Sequence, residues 1–143
     1  MTWKIREFLE ADRASVIALW QRCGLTRPWN DPSTDIDLAV REDNAALLVG
    51  VADETIVASL MVGFDGHRGW VYYLAVEPGN QRRGIGRRMM LAAEDWLKAR
   101  DAPKIQLMVR HDNRAALGFY EALGYAVQET TVLGRRLDDA DIS

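Results

Sequence analysis

The sequence predicts an α/β fold, a mixed and mostly antiparallel central sheet with helices on both faces. Three observations predict it. The apolar period switches repeatedly between that of helices and that of strands. Two apolar runs, 45–52 and 56–62, are separated only by Asp53-Glu54-Thr55, which makes them a hairpin. A helix-periodic stretch, 84–99, lies between two strand-like runs, as a right-handed βαβ unit requires.

Each element follows from its own pattern. From Trp3 to Phe8, Trp3 and Ile5 alternate with Lys4 and Arg6, a first strand. Between about Asp12 and Cys23, Val16, Ile17, Trp20 and Cys23 share one helical face, and Gly24 is a suitable stop. Arg27-Pro28-Trp29-Asn30-Asp31-Pro32 reads as loop, because two prolines bracket it. Thr34 to Asp37 matches a capping box that opens a short helix with Ile36 and Val40 inward. After the hairpin, Val71-Tyr72-Tyr73-Leu74-Ala75-Val76 is apolar on both faces, as a central strand is, and Glu77-Pro78-Gly79-Asn80 ends it. The helix 84–99 carries Ile85, Met89, Ala92, Ala93 and Trp96 on one stripe. Alternation then gives a strand over 104–110, Asn113 caps a helix that stops at Gly124, and 126–137 reads as one or two closing strands.

With 143 residues and no linker or repeat, the expectation is a single domain, 1–143. A net charge of −3 argues against a nucleic-acid binder, which needs a basic face. No apolar run approaches the roughly 20 residues of a membrane helix. The first residues lack the apolar core of a signal peptide, so a cytoplasmic protein is expected. Cys23 is the one cysteine, which leaves no disulfide framework and no cysteine-built metal site; no metal is expected.

Chemistry points to Gln81-Arg82-Arg83-Gly84-Ile85-Gly86-Arg87-Arg88, between a buried strand and a helix. Glycines let the backbone approach an anion, and the N–H groups of the first helical turn then face it. Arginines at the positive end of a helix dipole are unfavourable by a few tenths of a kcal/mol each unless an anion binds. A dinucleotide fingerprint would need glycine where Met89 stands, and a P-loop would need Lys-Ser/Thr after Gly86.

The Gln/Arg-x-x-Gly-x-Gly pattern that remains resembles the pyrophosphate loop of the GCN5-related N-acetyltransferases (GNAT family). Asn113-Arg114-Ala115-Ala116-Leu117-Gly118-Phe119-Tyr120-Glu121-Ala122-Leu123-Gly124-Tyr125 looks like that family's second signature, and the likeness spans nearly the whole chain. Within the family the sequence resembles the YpeA-type acetyltransferases, through 27–32, Asp65-Gly66-His67-Arg68-Gly69 and Leu133-Gly134-Arg135-Arg136-Leu137.

The resemblance implies an acyl-CoA N-acyltransferase fold and acetyl-CoA as co-substrate. It implies pyrophosphate contacts from Arg82, Arg83, Gly84, Gly86 and Arg87. It further implies that the strand 71–76 carries a bulge and splays from the strand 104–110, so that pantetheine pairs with backbone near Leu74 and Val76. An N–H near Ala75 or Val76 would then polarise the acyl carbonyl. Asn113 matches a cofactor contact, and Tyr120 matches a tyrosine beside the thioester sulfur, where a phenol can protonate the departing thiolate.

Many relatives place a glutamate near the position of Trp70, yet no carboxylate stands between Gly69 and Val76 here. His67, in the turn before the strand, becomes the candidate base, since an imidazole of pKa about 6.5 is largely neutral at pH 7. The expected activity is direct transfer of acetyl to a primary amine, on a small molecule or a peptide, in a ternary complex. The rival is a non-catalytic acyl-CoA-binding or sensing domain. A homodimer through the last strands is also expected.

Overall fold

The computed structural model describes residues 2–81 and 83–138, so Arg82 and residues 139–143 lie outside the described residues. Among the described residues the chain clusters into two compact units, 2–26 with 30–108 and 27–29 with 109–138.

In the first unit, β1 (Trp3–Glu7), β2 (Ala45–Ala52), β3 (Thr55–Phe64), β4 (Gly69–Val76) and β5 (Ile105–Leu107) form one sheet in sequence order. The first three pairings are antiparallel and β4–β5 is parallel. The sheet is mixed because α3 (Ile85–Lys98) carries the chain back between β4 and β5. Positive φ at both Asp53 and Glu54 makes the β2–β3 connection a two-residue turn whose twist suits a hairpin, with Ala52 opposite Thr55.

Both faces of the sheet are covered. α1 (Arg13–Arg22) and α2 (Pro32–Val40) bury Val16, Leu19, Trp20 and Ile36 against Leu47, Val49, Val51 and Ala75. The alternate β2 residues Ala46 and Leu48 are buried as well, and α3 buries Ile85, Met89, Met90, Ala93 and Leu97. α3 lies so close to β4 that a Cβ on Gly69 would sit 2.4 Å from Leu97 Cδ1. Continuous apolar runs in the central strands are the sequence trace of this two-sided burial.

Several expected boundaries move. α1 starts at Arg13, after a 3-10 turn at Glu10–Asp12, where Asp12 is chelated by Arg6 at 2.8 and 3.1 Å and by the Leu9 N–H at 2.8 Å. α2 is capped by Asp31, whose Oδ1 accepts from the Ser33 N–H at 3.0 Å, and not by Thr34. Proline at its first turn wins, because its missing N–H is unneeded there and its φ is preset. Its inward face carries Ile36 and Ala39, and Val40, expected inward, is exposed.

The second unit contains α4 (Arg114–Ala122), with Asn113 as N-cap. α1 and α4 both end before a glycine in the left-handed region, Gly24 at φ 68° and Gly124 at φ 95°, where a side chain would be strained. Among the described residues 126–138 there is no strand, against the expected closing strands, and Val127, Val132, Leu133 and Leu137 are exposed. Alternation can suit a segment to a sheet, but a strand exists only where another edge bonds to it.

Candidate functional site

β4 is irregular in its middle. Ser59 pairs with Ala75 and Met61 with Tyr72, so Tyr73 and Leu74 together oppose Leu60, a β-bulge. Tyr73 takes φ 56°, a left-handed conformation that a bulky residue seldom adopts. The extra residue reverses the facing of the strand. Gly69 faces α3, whereas Tyr73 and Ala75 pack with α1 and α2, although all three positions are odd.

Pairing with β5 stops before the bulge, at Val71 opposite Leu107. Residues 72–76 therefore run on without a β5 partner, and β5 itself is shorter than the expected 104–110. The Glu77 N–H bonds the Val57 carbonyl at 2.8 Å, which makes Ala58–Val76 the non-hydrogen-bonded kind of antiparallel pair. Val76's own N–H and C=O then point away from β3, toward the open edge. Its carbonyl accepts from Gln81 Nε2 at 3.3 Å and from the Cys23 thiol at 3.4 Å. Burial first, and then the Glu77 charge, push the Cys23 thiol up, so it stays protonated and donates. Glu77 is itself held by Arg22.

β4 leads through a 3-10 turn, Pro78–Asn80, into the glycine loop. Gly84 is the N-cap of α3 at φ 76°, and no side chain caps the helix. The first intrahelical bond runs from Arg88 N to Gly84 O at 3.1 Å, so the N–H groups of Ile85, Gly86 and Arg87 precede the ladder. Arg83 and Arg87 are exposed. Arg88 lies over the Trp3 ring, 4.3 Å from its centre, and leaves the loop. The expected contact at Arg82 lies outside the described residues.

A polar network fixes the bulge. The Tyr73 ring stacks on fully buried Trp20 with centroids 3.8 Å apart. Trp20 Nε1 donates to Ser59 Oγ at 2.8 Å, and Ser59 Oγ donates to the Tyr73 carbonyl at 3.0 Å. The Tyr73 hydroxyl donates to Asp35 Oδ2 on α2 at 2.6 Å. Sequence reading missed this arrangement: Asp35 and Tyr73 are 38 residues apart, and no local pattern links them.

His67 sits elsewhere. It is exposed in the turn where Asp65 Oδ1 accepts from the His67 and Arg68 N–H groups at 2.8 and 2.7 Å. Those two bonds, Arg68 first, hold the Asp65 carboxyl below its usual range. Ala75 lies six residues up β4 from Gly69, roughly 20 Å at about 3.3 Å per residue. The structure thus brings Leu74, Ala75 and Val76 to one open edge and leaves His67 at the strand's other end.

In the second unit, Asn113 Oδ1 accepts from the Ala116 N–H at 3.1 Å, so the residue is the predicted cap. Tyr120 meets Phe119 and Tyr125 edge-on, with ring centres 5.0 and 5.8 Å away. Burial pushes its phenol up to about 12. Among the described residues, no three His, Cys, Asp or Glu side chains gather as a metal site, and no helix is long and apolar enough to cross a membrane.

Comparison with known proteins agrees with this geometry. Residues 5–125 match the family described as Acetyltransferase (GNAT) family. A protein named acetyltransferase from Pectobacterium atrosepticum is 47% identical over 134 residues, 94% of this chain and 95% of that one. Another from Yersinia enterocolitica is 46% identical with the same coverage. Among solved structures, the aminoglycoside N-acetyltransferase AAC(6')-Iy in complex with CoA superposes with a TM-score of 0.81 at 15% identity, covering 95% of each chain. Glucosamine-6-phosphate N-acetyltransferase from Arabidopsis thaliana does so with 0.74 at 18% identity, covering 96% of this chain and 100% of that one. At these identities the structural likeness establishes the fold.

Proposed function

This chain belongs to the GNAT acetyltransferase family, and from that premise we propose that it transfers acetyl from acetyl-CoA directly to a primary amine in a ternary complex. The observation that carries the reading is the open edge of β4 beyond Val71, which leads straight into an uncapped helix N-terminus. An edge with free ladder positions accepts an amide-bearing chain as it would a strand, and pantetheine has two amides. The loop supplies N–H groups for the pyrophosphate from Gly84, Gly86 and Arg87, with Arg82 and Arg83 as cations.

In the reaction, the acceptor nitrogen attacks the thioester carbon, a C–N bond forms, and the C–S bond breaks with its electron pair going to sulfur. An N–H near Ala75 or Val76 steadies the intermediate oxyanion. Tyr120 gives its proton to the thiolate, a role supported by the motif around it and by a phenol that stays protonated at neutral pH. An acceptor that starts as R–NH3+ loses two protons in all; one ends on sulfur and one in solvent. Asn113 is assigned to the cofactor by the same motif.

The rival reading, a domain that binds acyl-CoA without turnover, draws support from the lack of a carboxylate on β4. Free-thiol release with acetyl-CoA and an amine panel decides between them. Structures of the same fold are named for aminoglycoside and glucosamine-phosphate acetylation, so the panel includes both, with polyamines and peptide N-termini. Amine-dependent thiol release is expected. Coenzyme A binding with no release from any amine would favour the rival.

A further inference from the structure

β4 carries no acid, yet the structure delivers one to its bulge from another element. Asp35, on the first turn of α2, accepts the Tyr73 hydroxyl at 2.6 Å. The other acids around it are committed. Asp31 caps α2 through the Ser33 N–H and the Thr34 hydroxyl, Asp37 and Glu10 pair with Arg13, Asp12 pairs with Arg6, and Glu77 pairs with Arg22. Among the described residues Asp35 has no ion-pair partner; a neutral phenol is what holds it. Arg13, an α1 cation that bonds α2, is spent on Ser33 and Asp37.

A half-buried carboxylate bonded only to a neutral donor keeps most of its lone pairs open to a further donor. Partial burial removes water that would otherwise screen it, so a cation arriving there gains more than it would at an exposed acid. The phenol that presents it is immobilised by the Trp20 stack and by a backbone whose left-handed φ persists only because its surroundings over-determine it. Such strain marks positions where geometry serves something besides stability. Tyr73 is also two residues from Ala75, on the strand whose edge stands open.

We propose that Asp35 is the docking carboxylate for the acceptor's ammonium group, with Tyr73 as its positioning residue, so that the enzyme selects cationic primary amines. This rests on the cofactor reading given under Proposed function. Asp35 acts on binding: it brings the nitrogen to the bulge as a cation, and the flanking Trp20–Ser59–Tyr73 network keeps the carboxylate in place.

The test compares two coenzyme A thioethers of matched size, S-(2-aminoethyl)-coenzyme A and S-propyl-coenzyme A, titrated calorimetrically into the full chain. One places an ammonium where the acceptor nitrogen would stand, the other a methyl group. The wild type is expected to bind the ammonium compound about tenfold tighter or more, in line with a charge-assisted hydrogen bond. Asp35→Asn is expected to erase that preference while leaving affinity for S-propyl-coenzyme A unchanged. Tyr73→Phe is expected to keep part of the preference. Equal binding of both thioethers by the wild type, which requires no variant to fold, overturns the proposal, and so does a preference that survives Asp35→Asn. If coenzyme A itself does not bind the wild type, the cofactor reading has failed and the docking site falls with it.

Discussion

At the scale of single residues, the Tyr120 phenol is half-buried, whereas His67 is exposed in the turn before β4. A phenol pushed to about 12 is almost wholly protonated at neutral pH, the state a donor to thiolate needs. Tyr120→Phe is expected to lower kcat roughly 10²–10⁴-fold with coenzyme A affinity little changed; wild-type turnover would return the ring to packing alone. The same shift has a stability consequence. Folding raises the phenol's pKa, so its contribution is complete below the unfolded value of about 10 and is lost as pH rises toward 12. Alkaline melting curves should therefore show a loss between those values that is absent in Tyr120→Phe. His67 stands at the wrong end of β4 for the open edge, and His67→Ala is expected to leave kcat and the acidic limb of the pH–rate profile as they were. A drop in kcat with a displaced limb would restore it as the base.

At the scale of elements, one extra residue in β4 does most of the work. The Tyr73–Leu74 bulge turns the later part of the strand over, and β5 parts from it just before that point. A regular strand would have continued pairing and closed the edge. The same strand delivers the chain to α3 with three N–H groups ahead of the helical ladder. Gly84 holds the left-handed N-cap, so a side chain there strains the backbone and confounds the experiment. Gly86 is already helical, and Gly86→Val tests backbone approach more cleanly. That variant is expected to lose coenzyme A binding while its melting temperature stays near wild type. For the wild type, binding should weaken as ionic strength rises, because exposed Arg83 and Arg87 attract phosphate through screened water. Salt-independent binding would move the pyrophosphate away from this loop.

At the scale of the whole molecule, the state of its one thiol bears on the expected kinetics. Cys23 is the lone thiol, half-buried and protonated against the Val76 carbonyl, which suits it to holding the strand end and not to accepting an acyl group. The direct transfer proposed above then has both substrates bound together. Initial-rate plots at several acceptor concentrations are expected to intersect, as sequential kinetics requires. Parallel lines would reveal an acyl-enzyme and overturn direct transfer.

Local patterns in the sequence determined the hairpin at Asp53-Glu54, the glycine stops at Gly24 and Gly124, the Asn113 cap and the strand–loop–helix at 71–99. Each depends on neighbours a few residues apart, so the information is contiguous. The bulge was legible only through likeness to a family, since Val71 to Val76 reads as an unbroken apolar run. Tertiary structure alone decided which acid reaches the bulge, where β5 ends, which residue caps α2 and that 126–138 forms no strand among the described residues. The physical reason is common to these. An ion's partner, a strand's edge and a buried face are each set by atoms distant in sequence, and local propensity is too weak to choose among them.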